Sequence, residues 1–282
     1  MVELLAADWN HWPDGLSPAA IAEAAAGSGF DGLELGVYDT AVELADARLA
    51  EWQRLGDQNG VPVRMLLYSM PPERWQHGGL TDESARSRLY EQLENVLELA
   101  SRLGLDTIGL WPGADLPGAD RRAFAAATSQ LSALAHRAGM RIAIEPKPGT
   151  LVAGADDAQS AANEAVHRDA VGVLLDTGHE HAAGRDPAAI VADLGSRLLH
   201  VHLGDSDGDP DADLPPGRLH PLDPVLAALD LIAYAGAMTP DAYGVVASGA
   251  MTGADVLTET MRAVAAARGR SPGRAARPGD GG

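Results

Sequence analysis

Short apolar runs alternate along this chain with long, alanine-rich amphipathic segments, and that alternation limits the folds open to it more than any other feature. The runs are ELLAAD (3–8), GLELG (32–36), VPVRMLLY (61–68), TIGLW (107–111), RIAIE (141–145), VGVLLD (171–176), LLHVHL (198–203) and YGVVAS (243–248). Helical patterns separate them at 18–28, 41–58, 82–103, 119–138, 155–167, 186–196, 222–236 and 253–268. Strand–helix alternation implies parallel strands joined by crossover helices. Near-continuous apolar strands fit a sheet covered on both faces or closed on itself. Eight such units in 282 residues match a single-domain α/β fold, the (β/α)8 barrel of the TIM type, over residues 1–268. The doubly wound alternative is expected to show a G-x-G-x-x-G loop after an early strand, and the sequence has none. Ser17-Pro18 and Asp186-Pro187 read as helix starts, and Gly29, Gly60, Gly104 and Gly139 as helix ends. The Gly/Pro/Arg-rich tail 269–282 has no apolar period and is expected to be disordered.

In such a barrel the chemistry gathers at the C-terminal ends of the strands. Those ends read Asp8, Glu34, Tyr68, Trp111, Glu145 with Lys147, Asp176 with His179, His200 and His202 with Asp205, and Ser248. Strands five, six and seven deliver a carboxylate, a carboxylate and an imidazole, a donor set suited to a divalent cation. Singly, Glu145 and Asp176 read equally well as helix caps. Jointly that reading weakens, because the same end of three consecutive strands is involved. His200 shares a face with His202 by the strand period, so one can orient the other. His11, Tyr68 and Trp111 fall on strand-end loops and are candidates for a cavity wall. Glu34 is either a base or hydroxyl acceptor, or a buried acid bonded to a neighbouring loop.

Lys147, in IAIEPKPGT, is the only lysine against twenty arginines. A compact ammonium two residues beyond a candidate ligand can hold an oxyanion or move a proton in ways a guanidinium cannot. A salt-bridged lysine on the rim is the alternative.

The net charge of −19 disfavours nonspecific nucleic-acid binding. The absence of cysteine removes thiolate chemistry and Cys-ligated zinc. The N-terminus lacks a signal-peptide pattern, and no run approaches the length of a membrane span, so a cytoplasmic protein is expected.

Glu145-Pro146, Asp176-Thr177-Gly178-His179 and HVHLGD (200–205), with GSGFDGLELG at 27–36, resemble the xylose isomerase-like barrel superfamily, and most closely its inosose dehydratase and sugar epimerase branch. The resemblance implies that Glu145, Asp176 and His202 bind a divalent metal (Mn²⁺, Mg²⁺, Co²⁺ or Zn²⁺). His179 matches a substrate-binding histidine, and Lys147 a lysine that contacts substrate oxygen in the aldose isomerases. Catalytic roles are expected for Lys147, His179 and Glu34, and substrate contacts for His11, Trp111, Tyr68, Asp205 and Ser248. The family ends strand eight with a metal-binding glutamate, where this reading finds Ser248 or Gly249. The epimerases' arginine beyond strand seven is Gly208, and their second acid after strand five is Leu151. A three-ligand site would bind its metal weakly. The implied activity is isomerisation or epimerisation of a polyhydroxylated keto- or aldo-sugar or cyclitol by proton transfer next to a carbonyl. Dehydration by β-elimination, or a diverged barrel with a weakened or lost metal site and altered chemistry, is the alternative. An endonuclease IV-type activity conflicts with the few ligands and the acidic charge. The expected partner is a small sugar-like molecule, with no nucleic acid and no membrane, and homo-oligomerisation stays open.

Overall fold

The structure is a computed structural model. It describes residues 2–38, 45–69, 80, 83–113, 120–209 and 211–270. The eight strands are β1 (Glu3–Ala7), β2 (Gly32–Val37), β3 (Val63–Tyr68), β4 (Thr107–Leu110), β5 (Arg141–Ile144), β6 (Val171–Asp176), β7 (Leu198–Leu203) and β8 (Ala237–Pro240). They pair in chain order, all parallel, and β1 closes on β8 through Glu3↔Ala237 and Leu4↔Met238. The expected closed (β/α)8 barrel is therefore the fold.

The described helices are α1 (Pro18–Ser28), α2 (Asp46–Asn59), α3 (Glu83–Arg102), α4 (Arg121–Ala138), α5 (Ala155–Glu164), α6 (Thr177–Ala182), α7 (Pro187–Leu194), α8 (Asp223–Leu231), α9 (Tyr243–Ala247) and α10 (Gly253–Arg270). The cap residues do what the sequence suggests: Ser17 Oγ accepts from Ala20 N at 3.3 Å and Asp186 Oδ1 from Ala188 N at 3.0 Å. Helix α10 continues to Arg270, and the tail beyond it lies outside the described residues.

The strand period of two sorts side chains between two cores. Val173 and Leu175 face the large apolar cluster beneath the helices, while Leu174 joins Ala7, Trp9, Leu67 and Ala143 inside the barrel. Strands β6 and β7 approach closely at Gly172, where a Cβ would lie 2.5 Å from the Arg197 carbonyl oxygen and 2.6 Å from the Leu199 side chain. Because backbone blocks the space, Gly172→Ala is expected to destabilise the fold by about 1–3 kcal/mol in urea unfolding.

One element departs from expectation. YGVVAS is not the eighth strand: Tyr243–Ala247 is helix α9, and β8 is the short AMTP segment. Val245 and Val246 satisfy their apolar character by packing with Ala242 and Val256 in a satellite cluster outside the barrel. The residue that leaves the end of β8 is consequently Asp241. Ser248 is exposed, and its Oγ donates to the Val245 carbonyl at 2.8 Å.

Candidate active site

Four strand ends meet at the top of the barrel. Glu145 follows β5, Asp176 ends β6, His202 lies in β7 and Asp241 follows β8, and one donor atom of each lies within 4.8 Å of all the others. His202 Nδ1 is 3.1 Å from Glu145 Oε1 and 3.7 Å from Asp241 Oδ2. Asp176 does two jobs. Its Oδ1 caps α6 by accepting from Gly178 N at 2.7 Å and His179 N at 3.0 Å, while its Oδ2 lies 3.6 Å from His179 Nδ1. Asp241 is oriented by Trp9, whose indole N–H donates to Oδ1 at 2.9 Å.

The electrostatics of this group suit a cation. Burial raises the Asp241 carboxyl, and Asp176 and Glu145 raise it further against the pull of His202. Burial opposes charge on His202, yet Glu34 and Glu145 together hold its imidazolium well above the ordinary histidine range. Glu145 is raised by burial, but His202 outweighs that and leaves it below the ordinary carboxylate range. An imidazole gripped between two carboxylates carries both protons, and a divalent cation at Nδ1 would take the place of one of them. Three carboxylate oxygens and one imidazole nitrogen form a set that Mn²⁺, Co²⁺ or Zn²⁺ accepts. The residues present thus fit a metal ion.

Two further groups have donor spacing, and both are committed internally. Glu34 is fully buried beneath His202. Its Oε1 is 3.2 Å from His202 Nε2, and its Oε2 is 2.8 Å from His200 Nε2 and accepts from the Thr239 hydroxyl. The arrangement has the form of a carboxylate–histidine support that orients a ligating imidazole, and it turns both Glu34 oxygens toward His200, His202 and Thr239. Asp205 accepts from the backbone nitrogens of Ser206, Leu219 and His220 and from His220 Nδ1 at 2.6 Å, while His181 stacks on His220 with centroids 3.9 Å apart. Asp205 therefore latches the connection between β7 and α8.

Around the ligand group stand two of the other expected residues. Lys147 Nζ lies 3.0 Å from Asp211 Oδ1. Burial would lower its ammonium, but Asp213 and Asp211 outweigh that, so Lys147 is a firmly charged cation rather than a proton acceptor. His179 Nδ1 lies 3.0 Å from the Pro146 carbonyl oxygen, which makes Nδ1 the donor and leaves Nε2 for a ligand. Of the rest, Tyr68 donates to Gln92 Oε1 at 2.8 Å, Trp111 is buried just past β4, and His11 is buried against Gly253, with no partner for either ring nitrogen among the described residues.

Sequence reasoning missed Asp241, Trp9, Asp213 and Tyr38. Tyr38, just past β2, sits edge-on to Trp12 at 5.0 Å, and its phenol is held well above its ordinary range by burial and by Asp241, Asp8 and Glu145. Asp241 had a signal, since it is the first acid after a short apolar segment that can close the barrel on β1. The mark that ends the earlier helices is hidden there. The left-handed residue before β8 is Ala233, with φ 52°, where the junctions before β2, β3, β4 and β5 use glycine.

Among the described residues no helix is long and apolar enough to cross a membrane. No curated protein matches the sequence at a significant level. Solved structures that resemble it include an L-ribulose 3-epimerase (TM-score 0.76, 16% identity, covering 98% of this chain and 100% of that one). An IolI protein with a bound zinc atom is similar at TM-score 0.75 and 19% identity over 94% of this chain and 97% of that one. A xylose isomerase-like TIM barrel/4-hydroxyphenylpyruvate dioxygenase fusion protein matches at TM-score 0.74 and 19% identity over 93% of this chain, which spans only 42% of the fusion. At these identities the likeness carries the fold. The profile of one family matches residues 22–262, most of the chain, and so the protein belongs to the xylose isomerase-like TIM barrel family.

Proposed function

We propose that this protein is a divalent-metal-dependent enzyme of the sugar isomerase and epimerase kind, removing a proton next to the carbonyl of a small polyhydroxylated keto- or aldo-sugar or cyclitol. The observation that carries this reading is the meeting of Glu145, Asp176, His202 and Asp241 at one point, with Lys147 and His179 beside it. The sugar epimerase and the zinc-bound IolI protein among the structural neighbours support it. A cation held by those four residues would polarise substrate oxygens. The Lys147 ammonium, steadied by Asp211, donates to the oxygen on which negative charge develops. His179 offers Nε2 to a substrate hydroxyl, and Tyr38 and Trp12 supply an aromatic wall. Glu34 keeps His202 in register from below. The acidic net charge weighs against a nucleic-acid substrate.

Leu151 and Gly208 stand where the epimerase pattern has an acid and an arginine, which favours a reaction outcome different from 3-epimerisation. Elimination of water starts with the same proton removal, so a dehydratase is the second reading, and product analysis separates the two.

The test is proton exchange. Purified protein with Mn²⁺ and a ketose such as D-fructose or L-ribulose in D₂O should incorporate deuterium at a carbon flanking the carbonyl, followed by NMR. EDTA should stop the exchange and added Mn²⁺ restore it. Mn²⁺-loaded protein that exchanges no proton across a set of ketoses and inososes would remove the reading.

A further inference from the structure

We propose that Asp213 is the proton-transfer residue of this site, delivered by the connection between β7 and α8 and working beside the Lys147 ammonium. The inference rests on the function proposed above and names the group that performs its first step.

Asp213 has a left-handed backbone, φ 40°, one of two such non-glycine residues among those described. That conformation costs about 1–2 kcal/mol and persists only where the surroundings enforce it. Here they do so from both sides. Leu214 pairs with Asp205 through N–H···O bonds of 2.8 and 2.9 Å, and Asp205 is itself latched by three backbone nitrogens and His220. On the other side Gly244 N donates to Asp213 Oδ2 at 3.0 Å. Gly244 admits this approach because it has no Cβ; one would collide with the Asp211 carbonyl oxygen and lie 3.0 Å from both the Ala212 carbonyl oxygen and Asp213 Oδ2. Two independent anchors therefore hold one strained carboxylate in place.

The charged groups that act on it are Asp241 after β8, Lys147 after β5, Asp176 at the end of β6 and His179 in α6. The gate at Gly244 occupies Oδ2, and no described residue hydrogen-bonds Oδ1. In the metal-free protein burial first, and Asp241 next, push its carboxyl up to about 7; a cation on Asp241 and Asp176 would draw it back toward the carboxylate that accepts a proton. Lys147 cannot take that part because Asp213 and Asp211 keep it charged. Asp213 also fills a chemical gap, since the acid that the epimerases carry after strand five is Leu151 here.

In the step itself the C–H bond next to the carbonyl breaks and an O–H bond forms at the Asp213 carboxylate. The C–H electron pair becomes the carbon–carbon double bond of an enediolate, and the carbonyl oxygen takes the negative charge beside the Lys147 ammonium. Returning the proton to the neighbouring carbon, while the hydroxyl proton of the first carbon passes to the former carbonyl oxygen, completes an isomerisation.

The experiment compares wild type, Asp213→Asn and Asp213→Glu, each loaded with Mn²⁺, using L-ribulose and D-fructose in D₂O. Asparagine tolerates the left-handed backbone and keeps the Gly244 bond, so the fold is preserved; thermal melts check this. The Asp213→Asn exchange rate should fall about 10²–10⁴-fold, while Mn²⁺ affinity by calorimetry stays unchanged. Asp213→Glu should recover part of the rate, and the wild-type rate should fall at acid pH as the carboxylate is protonated, a limb that the asparagine variant lacks. Exchange in Asp213→Asn within threefold of wild type would overturn the inference and leave the proposed function standing. Loss of Mn²⁺ binding in Asp213→Asn would overturn it in favour of a role in metal binding. A wild type that binds Mn²⁺ and exchanges no ketose proton would overturn both.

Discussion

The Asp241→Asn variant should bind Mn²⁺ on the order of a hundredfold more weakly than wild type in calorimetry. Changes behind a metal ligand already cost 10–100-fold, so loss of a carboxylate in the group itself belongs at the upper end or beyond. Asparagine preserves the size of the side chain and an oxygen to accept from the Trp9 indole, so the change is one of charge rather than shape. The metal-free protein gives the opposite sign. There the Asp241 carboxyl is disfavoured by burial and then by Asp176 and Glu145, and replacing it relieves that strain. Asp241→Asn should therefore melt at or above the wild-type temperature without metal and lose the rise that Mn²⁺ gives wild type, a rise worth about 2.7 kcal/mol at a hundred times Kd. A merely structural Asp241 would lower the metal-free melting temperature instead. Ser248→Ala is the companion measurement. Ser248 is exposed on the end of α9, and its replacement should leave Mn²⁺ affinity unchanged.

That pair of variants also marks where the sequence stops being readable. Seven strands lie in apolar runs that stand out from the helical patterns beside them. AMTP is as short as β4 and β5 but has one large apolar side chain, Met238, and it ends on a proline, which cannot donate to the ladder. It is a strand because β7 and β1 leave room for one more and its register with both is satisfied, which is tertiary information. YGVVAS has the better strand composition and forms a helical turn, because its valines find apolar partners outside the barrel. The two acids and one imidazole of strands five to seven are legible because strand ends are a fixed place in this architecture. Asp213 is not, for it sits in a long connection whose path is set by the Asp205–Leu214 pairing and by the missing Cβ at Gly244. The lone lysine is legible as a site residue, but its charge state is not. Burial pulls it one way, and two aspartates from that same connection pull it further the other.

Glu34→Ala should destabilise the metal-free protein by about 3–5 kcal/mol, the loss expected when one partner of a buried charged pair is removed. Glu34 has no exposed surface, and three groups donate to it: His200 Nε2, His202 Nε2 and the Thr239 hydroxyl. Alanine leaves all three without that acceptor, and it leaves a cavity in the layer directly below the proposed ligand group. The sign with pH follows from the direction of its shift. Burial raises the Glu34 carboxyl, but His200 and His202 outweigh burial and hold it far below the ordinary glutamate range. A carboxylate with a depressed folded-state pKa contributes stability that is fully present above its unfolded value, about 4.3, and is lost as the pH falls below that. Urea unfolding at neutral pH should show the full gap between wild type and Glu34→Ala, and the gap should narrow as the pH is lowered below about 4. A gap that stays constant across that range would mean that Glu34 acts through packing volume alone. It would then hold His202 by shape, and the glutamate-sized Glu34→Gln variant would keep wild-type stability and Mn²⁺ affinity.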